Sequence, residues 1–256
     1  MAVYYERIGA AAVLTIDRPE RRNAVDRATA EELYARYGEV GADAGARVLI
    51  GTGAGGEAVC AGADLKAMNN PTNVTARDAS ATIEGPMGFT RAHSPKPTIA
   101  AVDGWCVAGG LEIACWCDMR VASESSHFGC LERRWGVPLI DGGTQRLPRI
   151  VGTGRALDLI LTGRVIDAQE ALSIGLVQRV VSKGQALSAA LEIAEQIAAF
   201  PQECVLADRQ ALYEGLGGPL ADGLMIEADL GRMVLQEAAR GAIRFAGGEG
   251  RGGRGT

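Results

Sequence analysis

One carboxylate stands in a stretch of sequence where a charged group is costly. Glu112 lies in VAGGLEIACWCD (residues 107–118), a run that is otherwise small or apolar until its last residue. A lone buried carboxylate must find a partner or take up a proton. Such a group can serve as a general acid or a general base.

Glu112 also has a structural interpretation. It follows Gly109 and Gly110 at the predicted start of a helix, where a carboxylate satisfies free N–H groups and the helix dipole. The residues alone leave the catalytic and the structural interpretation of Glu112 open.

Two glycine-containing turns could supply hydrogen-bond donors to a ligand. They are CAGADL (residues 60–65) and VAGGLE (residues 107–112), and each follows a predicted strand. Small side chains let a main-chain N–H approach a ligand closely. Two such N–H groups aimed at one carbonyl oxygen form an oxyanion hole, in which one donor contributes about 3–4 kcal/mol to transition-state stabilisation.

Composition narrows the class of protein. The chain has 256 residues, 47 % of them hydrophobic, so one large core can form, and its formal net charge of −5 gives no general attraction to nucleic acid or anionic membrane. The apolar residues near the start are interrupted by charges, unlike a signal peptide or a membrane span. Six cysteines show no C-x-x-C spacing, which favours structural thiols in a reducing, cytoplasmic setting.

Two motifs suggest other chemistries but lack the required context. GTGAGG (residues 51–56) satisfies the dinucleotide fingerprint G-x-G-x-x-G, yet the residues that follow do not open a helix, so we interpret it as a surface turn. The two histidines, His93 and His127, belong to neither a serine-hydrolase nor a zinc-hydrolase motif.

Hydrophobic periodicity predicts an α/β body followed by helices. Strands are predicted over residues 1–17, at RVLIGTG, at TIAAVDGWCV, at MRVASES and near HFGC, with helices at AEELYARYGEV, over roughly 76–92 and from LEIACWC. Asp26 or Thr29 is the predicted cap of the first helix. After Gly142 the pattern is almost entirely helical, and the tail GGEGRGGRGT is predicted to be mobile.

Five segments in this order resemble the enoyl-CoA hydratase/isomerase (crotonase) family over about residues 5–245. They are IDRPERRNAVD, CAGADL, DGWCVAGGLEIACWCD, GVPLIDGGTQRLPRIVG and LTGRVIDAQEALSIGLVQRVV. The resemblance implies a crotonase-like spiral of repeated ββα units with a helical trimerisation region at the C-terminus. It divides the chain into a core with an acyl-CoA site (residues 1–195) and a helical oligomerisation region with a flexible tail (residues 196–256).

The resemblance also assigns roles to residues. It implies that the N–H groups of Ala63 and Gly109 polarise a thioester carbonyl and that Glu112 and Glu132 are the catalytic pair, two carboxylates in different protonation states that serve as acid and base. Glu132 lies in FGCLERRWG and could instead form a surface salt bridge with Arg133 or Arg134. The implied substrate- and coenzyme A-binding residues are Arg22, Ala61, Gly62, Asp64, Leu65, Lys66 and Gly110, with Arg21 as a further cation for the phosphates. The acyl tail is expected near residues 68–92.

The chain departs from the family pattern near Asp141. Leu131 stands where many hydratases carry a proline, and Asp141 is an extra carboxylate one residue from the position of a catalytic aspartate in some family members. Asp141 either faces the substrate or caps the helix that begins near Gly143.

The function implied is hydration of an enoyl-CoA thioester in fatty acid metabolism. The alternatives are double-bond isomerisation and non-catalytic acyl-CoA binding. We expect no metal or other cofactor beyond the coenzyme A of the substrate, no nucleic-acid or membrane partner, and a homotrimer or hexamer.

Overall fold

The structure, a computed structural model, describes residues 1–67 and 85–249. In these two ranges the chain forms two sheets and a set of helices. The strands are β1 (Val3–Ile8), β2 (Ala11–Ile16), β3 (Val48–Gly53), β4 (Ala58–Cys60), β5 (Thr98–Val102), β6 (Trp105–Val107), β7 (Met119–Ser123), β8 (His127–Gly129), β9 (Ile166–Asp167) and β10 (Arg179–Val181). The α-helices are α1 (Arg27–Ala42), α2 (Gly109–Trp116), α3 (Gly143–Val151), α4 (Thr153–Thr162), α5 (Ala168–Ser173), α6 (Ala186–Ala198), α7 (Gln202–Gly215), α8 (Leu220–Met233) and α9 (Leu235–Ala246).

Successive strand pairs are divided between the two sheets. The larger sheet has the order β1-β2-β3-β5-β7-β10 and is parallel apart from the β1–β2 hairpin. The smaller sheet has the order β4-β6-β8-β9, in which β4, β6 and β8 are parallel and β9 is antiparallel. In the pairs β3–β4, β5–β6 and β7–β8, the first strand enters the larger sheet and the second enters the smaller one. This repeated unit confirms the predicted crotonase-like spiral.

The inner strands of the larger sheet, β2, β3, β5 and β7, are largely buried on both faces, which explains their apolar sequences, whereas the edge strands β1 and β10 are more exposed. In β2, Ala11 and Val13 pack towards α6, whereas Leu14 and Ile16 belong to the core on the opposite face. Side chains alternate between faces along a strand, so a buried two-sided strand must be apolar at every position. The core that contains Leu14 and Ile16 also includes residues of α2 and of the smaller sheet. It therefore supports the turns described below.

Most of the predicted helices and strands are confirmed. The predicted helix over 76–92 is wrong in the part that the structure describes. Asp26 caps α1 by accepting the Thr29 N–H at 2.9 Å. The predicted helix over 76–92 fails over residues 85–92, which form consecutive turns; the rest of that prediction, like most of the expected acyl-tail region, lies at residues 68–84, outside the described residues. GTGAGG ends β3 and leads into β4 rather than into a helix, so the dinucleotide fingerprint is excluded.

Helices α7, α8 and α9 carry many exposed apolar side chains. Among their side chains only Ala207 is buried, and large exposed residues include Leu212, Leu220, Leu224, Met233, Ile243 and Phe245. The division at residue 195 stays a prediction, and the final segment 250–256 of the predicted tail lies outside the described residues. None of the helices in the described part of the chain has the length and apolar character needed to cross a membrane.

Candidate active site

A cavity of about 540 Å³ lies at one edge of the smaller sheet. Three parallel strands end there, and a short segment follows each of them. Ala63 comes three residues after the end of β4, Gly109 two residues after β6, and Glu132 three residues after β8. Because the carboxyl ends of parallel strands meet at one edge, this topology brings together segments that are far apart in sequence. All three residues line the cavity.

The two glycine-containing turns are in direct contact. A Cβ atom built on Gly62 would lie 2.9 Å from the Gly109 nitrogen and 2.7 Å from the Ala108 Cβ. A Cβ atom on Gly110 would lie only 2.1 Å from the Cys60 carbonyl oxygen. Both turns therefore require glycine at these positions for their backbones to approach each other.

The main-chain N–H groups of Ala63 and Gly109 are available to a ligand. Residues 62–64 pair with Val25, which donates to the Gly62 carbonyl and accepts from the Asp64 N–H, each at 2.8 Å. In that pairing the Ala63 N–H points away from Val25. Within the described ranges neither amide has a hydrogen-bond acceptor, and both residues line the cavity. The arrangement matches the two-donor oxyanion hole expected from the sequence.

Ala108 holds the second turn in a strained conformation. It has φ +53° and ψ −130°, in the left-handed half of the map that residues with a side chain seldom occupy. Such backbone strain costs about 1–3 kcal/mol and persists where the surroundings over-determine it, commonly at functional sites. Here it fixes the peptide group that carries the Gly109 N–H, at the N-terminus of α2.

Glu112 is the anchored carboxylate of the site. Its side chain is 3 % exposed, and its Oε1 accepts the N–H groups of Gly143 at 2.7 Å and Asp141 at 3.0 Å. Burial, and next the nearby Asp141 carboxylate, raise the pKa of Glu112 to about 8, although both N–H donors favour its charged form. Glu112 is therefore mostly protonated at neutral pH.

Glu132 is the unanchored carboxylate. It lies in a short 3-10 helix (Leu131–Trp135), it is 7 % exposed, and neither carboxyl oxygen has a hydrogen-bond partner among the described residues. Burial raises its pKa above the usual value. The salt-bridge interpretation is wrong, because Arg133 and Arg134 donate instead to the main-chain carbonyls of Ile160 and Gly163. A buried carboxylate without a partner is rare, and one that faces a cavity points to a ligand.

Asp141 lies between these features and does not cap a helix. Helix α3 begins after Gly142 with no side-chain cap, so the capping interpretation is wrong. Asp141 lines the cavity, and its Oδ1 accepts the Met87 N–H at 2.9 Å and the Thr90 hydroxyl. Burial raises the pKa of Asp141 above its usual value, against the opposing effect of those hydrogen bonds.

The residues expected to bind coenzyme A divide into two groups. Arg22, Ala61 and Leu65 line the cavity. Asp64 is buried away from it in a structural role: its carboxylate pairs with Arg18 at 3.2 Å and accepts the N–H of Lys66 at 3.1 Å. The exposed side chain of Lys66 is not among the residues that line the cavity.

Two residues of the cavity wall are not among the predicted site residues, although one of them, Met87, lies within the stretch 68–92 expected to hold the acyl tail. Met87 and Trp135 both line the cavity, Met87 buried and Trp135 72 % exposed at the rim. Neither belongs to a motif, and Met87 reaches the site from a turn segment that sequence periodicity assigned to a helix. Only the contact between distant segments reveals their position.

The comparisons with known proteins agree with this geometry. The family model described as enoyl-CoA hydratase/isomerase matches residues 6–248. The chain belongs to this family. Its resemblance to the crotonases, inferred above from five segments, is thereby confirmed over nearly the whole chain.

Individual relatives are similar over most of their length. The chain is 39 % identical to a short-chain-enoyl-CoA hydratase of Clostridium acetobutylicum over 89 % of this chain and 87 % of that protein. It is 38 % identical to a crotonyl-CoA hydratase of Syntrophomonas wolfei, covering 85 % and 84 % of the two chains. The solved structure of an enoyl-CoA hydratase from Mycobacterium marinum matches with a TM-score of 0.88 and 35 % identity, over 96 % of this chain and 95 % of that one.

Proposed function

We propose that this protein is an enoyl-CoA hydratase, which adds water across the α,β double bond of an enoyl-CoA thioester. One observation carries the proposal: two buried carboxylates and two free main-chain N–H groups line the same cavity. Family membership supports it, as do the names of relatives that are 38–39 % identical over most of the chain.

In the proposed reaction the thioester oxygen lies between the N–H groups of Ala63 and Gly109. Ionised Glu132 takes a proton from water while the water oxygen bonds to Cβ, and the electron pair of the double bond moves onto the thioester oxygen as an enolate. The two amides stabilise that charge. Protonated Glu112 then donates its proton to Cα, which restores the carbonyl, and the pair regains its starting protonation by proton exchange.

The assignment of acid and base follows from the two environments. Glu112 is the more deeply buried of the two, and burial together with the nearby Asp141 carboxylate raises its pKa to about 8, whereas the effect of burial on the pKa of Glu132 is opposed by the nearby Arg133. Because two adjacent carboxylates resist being ionised together, the proton that the pair retains at neutral pH resides on Glu112. Glu132, free of internal partners, is left to bind the water.

The cavity suits a thioester with a mostly apolar acyl group. Two cations line the cavity, Arg22 and Arg134, and either could meet the phosphates of coenzyme A. Much of the remaining lining is apolar and includes Leu131, Val137, Pro138 and Ile140. We therefore propose crotonyl-CoA, the substrate named for one relative, as the first substrate to assay.

The decisive experiment supplies crotonyl-CoA and follows the loss of its conjugated enoyl absorbance. We expect turnover by the wild type and a loss of about 10²–10⁴-fold in kcat with Glu112→Gln, which keeps the shape of the side chain but cannot transfer its proton in the same way. The matched control is Glu192→Gln on the exposed face of α6, which should retain full activity. Unchanged turnover in the Glu112 variant would overturn the assignment.

The same assay separates the two alternatives. An isomerase would incorporate solvent deuterium and move the double bond without net addition of water. A non-catalytic acyl-CoA-binding protein would bind butyryl-CoA tightly yet form no product from any enoyl chain length.

We further propose that the exposed apolar side chains of α7, α8 and α9 contact other copies of the chain in a homotrimer or hexamer, because contiguous exposed apolar surface indicates an interface. Fatty acid metabolism in the cytoplasm is the proposed setting, supported by six unpaired cysteines, five of them buried. The proposed chemistry requires no metal or further cofactor, since side chains and main-chain amides supply each step.

A further inference from the structure

Asp141 makes more contacts than the proposed reaction requires. Its carboxylate Oδ1 accepts the Met87 N–H and the Thr90 hydroxyl, both from the turns at residues 85–92, which we call the wall segment. The buried carboxylate of Asp141 thus links, through hydrogen bonds, two segments that are 51–54 residues apart in sequence. Since burying such a group is costly, its hydrogen bonds must offset desolvation.

Two arginines add ties between the same segments. Arg146 of α3 donates to the Asp141 carbonyl at 2.8 Å and to the Thr90 carbonyl at 2.5 Å. Arg91 donates to the Ile140 carbonyl at 3.0 Å. The wall segment is thus fixed to the loop before α3 by several charged hydrogen bonds, with the Asp141 carboxylate at their centre.

The wall segment reaches the oxyanion hole through Met87. A Cβ atom built on Gly109 would lie 2.9 Å from the Met87 Sδ and 3.0 Å from its Cε. The side chain therefore packs against the residue whose N–H is one of the two proposed donors. A shift of Met87 would alter the space beside that donor.

Asp141 also contacts the proposed catalytic acid. Its main-chain N–H donates to Glu112 Oε1 at 3.0 Å, so one residue joins the wall at Met87 to Glu112. We propose that Asp141 is a positioning residue for hydration, which fixes the wall segment against Gly109 through its carboxylate and orients Glu112 through its N–H. This inference rests on the proposed function.

The charge of Asp141 has a second consequence. Arg91 and Arg146 lie near the Asp141 carboxylate and favour its ionised form, whereas Glu112 and the Cys60 thiol face it as further titratable groups. An ionised Asp141 disfavours ionisation of Glu112 and so retains the proton that the acid must deliver.

Other groups also face Glu112, and they are unchanged when Asp141 is replaced. They are Glu132 of the 3-10 helix, Arg146 of α3, and the thiols of Cys115 and Cys130. Replacing Asp141 therefore changes one charged group near Glu112 and leaves these others in place.

Two variants separate its roles. Asp141→Asn keeps an oxygen that can accept from Met87 and Thr90 but removes the charge, so we expect KM for crotonyl-CoA to stay within two-fold while the basic limb of the kcat profile moves to lower pH by about one unit. Asp141→Ala removes the acceptor as well, and we expect KM to rise about ten-fold in addition, because the wall segment is released. Asp222→Asn, at an exposed position of α8, is the matched control and should change neither quantity.

A titration that needs no turnover keeps the two proposals distinguishable. The ¹³C carboxyl resonance of Glu112, assigned by its absence in Glu112→Gln, should titrate at lower pH in Asp141→Asn than in the wild type. If the wild type hydrates no enoyl-CoA, the proposed function fails. The titration still tests whether the charge of Asp141 shifts the ionisation of Glu112. If the pH profile and titration of Asp141→Asn coincide with those of the wild type, the positioning role is overturned; where Asp141→Ala does not fold, Asp141→Asn alone decides.

Discussion

The two ends of helix α2 treat polar groups in opposite ways. At the N-terminal end, Ala108 is strained, the Gly109 N–H has no acceptor in the described part of the chain, and Glu112 retains a proton in a buried position. At the C-terminal end, eight residues away, the buried polar groups are densely hydrogen-bonded. Helix α2 is mainly apolar along its whole length. The difference between its two ends therefore comes from the residues that surround each end.

Arg120 accounts for most of the order at the C-terminal end. Its side chain is 3 % exposed and donates to four main-chain carbonyls, at Ala114, Cys117, Asp118 and Leu176. The last carbonyls of a helix have no partner within the helix, and here a guanidinium supplies the donors.

Asp118 completes that end of the helix. Its carboxylate accepts the Thr98 N–H at 2.7 Å, an Arg209 N–H at 2.8 Å and the Tyr213 hydroxyl at 2.5 Å, which attaches α7 to the core. The fold thus pairs the buried polar groups at the C-terminal end of α2, whereas among the described residues of this helix the strained residue and the free N–H group lie at the end that faces the cavity.

Gly62→Ala should damage the functional end most. The new Cβ atom would meet the Gly109 nitrogen at 2.9 Å in a backbone with φ +89°, so the two turns must separate. We expect kcat/KM for crotonyl-CoA to fall about 10²–10³-fold, the loss typical of one oxyanion donor. Gly56→Ala is the control, since Gly56 also has positive φ (+69°) but open space around it. Equal losses in both variants would mean that strain in the turn, rather than its contact with Gly109, is responsible.

Arg120→Met should damage the structural end. Removing the guanidinium leaves several buried carbonyls without donors, and we expect the free energy of unfolding to fall by about 3 kcal/mol. Denaturant titration measures this, with Arg179→Met at an exposed position of β10 as the control. The fraction that remains folded should hydrate crotonyl-CoA at the wild-type rate. A chemical defect without loss of stability would contradict the division between the two ends.

Glu112→Gln should stabilise the protein at high pH, although we expect it to lower kcat by about 10²–10⁴-fold. The pKa of Glu112 rises from 4.5 to about 8 on folding, so its contribution to stability is present below about pH 4.5 and is lost as pH rises through 8. An amide avoids that loss, and because a pKa shift from 4.5 to about 8 corresponds to about 5 kcal/mol, we expect the variant to gain up to about 5 kcal/mol in unfolding free energy at pH 9 and less than about 1 kcal/mol at pH 5. Glu192→Gln should show no such pH-dependent gain. An equal gain in that variant would mean that the loss of one negative charge, rather than the burial of Glu112, causes the stabilisation.

The sequence was sufficient to predict the elements that carry the site. Buried strands, the turns at Gly62 and Gly109, and the α2 start are local features that periodicity and glycine placement reveal. The parallel pairing of β4, β6 and β8, which brings Glu132 and Glu112 to one cavity, has no local signature in the sequence; the family resemblance implies the spiral of ββα units and the pair of glutamates but not the pairing of these strands.

Other features depended on contacts that sequence does not encode locally. The sequence predicts a helix over roughly 76–92, whereas the path of the wall segment is set by contacts with Asp141 and with Arg146 of α3, more than 50 residues away. For the same reason Asp141 was open to a capping interpretation. Arg133 and Arg134, adjacent to Glu132 in sequence, face carbonyls of other segments instead.

The most direct test is a crystal structure with butyryl-CoA, a saturated thioester that cannot be hydrated. We predict that its thioester oxygen lies about 2.7–3.1 Å from both the Ala63 and the Gly109 nitrogen, with Cα and Cβ between the carboxyl groups of Glu112 and Glu132. A thioester oxygen bound away from these two amides, or an acyl chain that leaves both glutamates out of reach, would contradict the account.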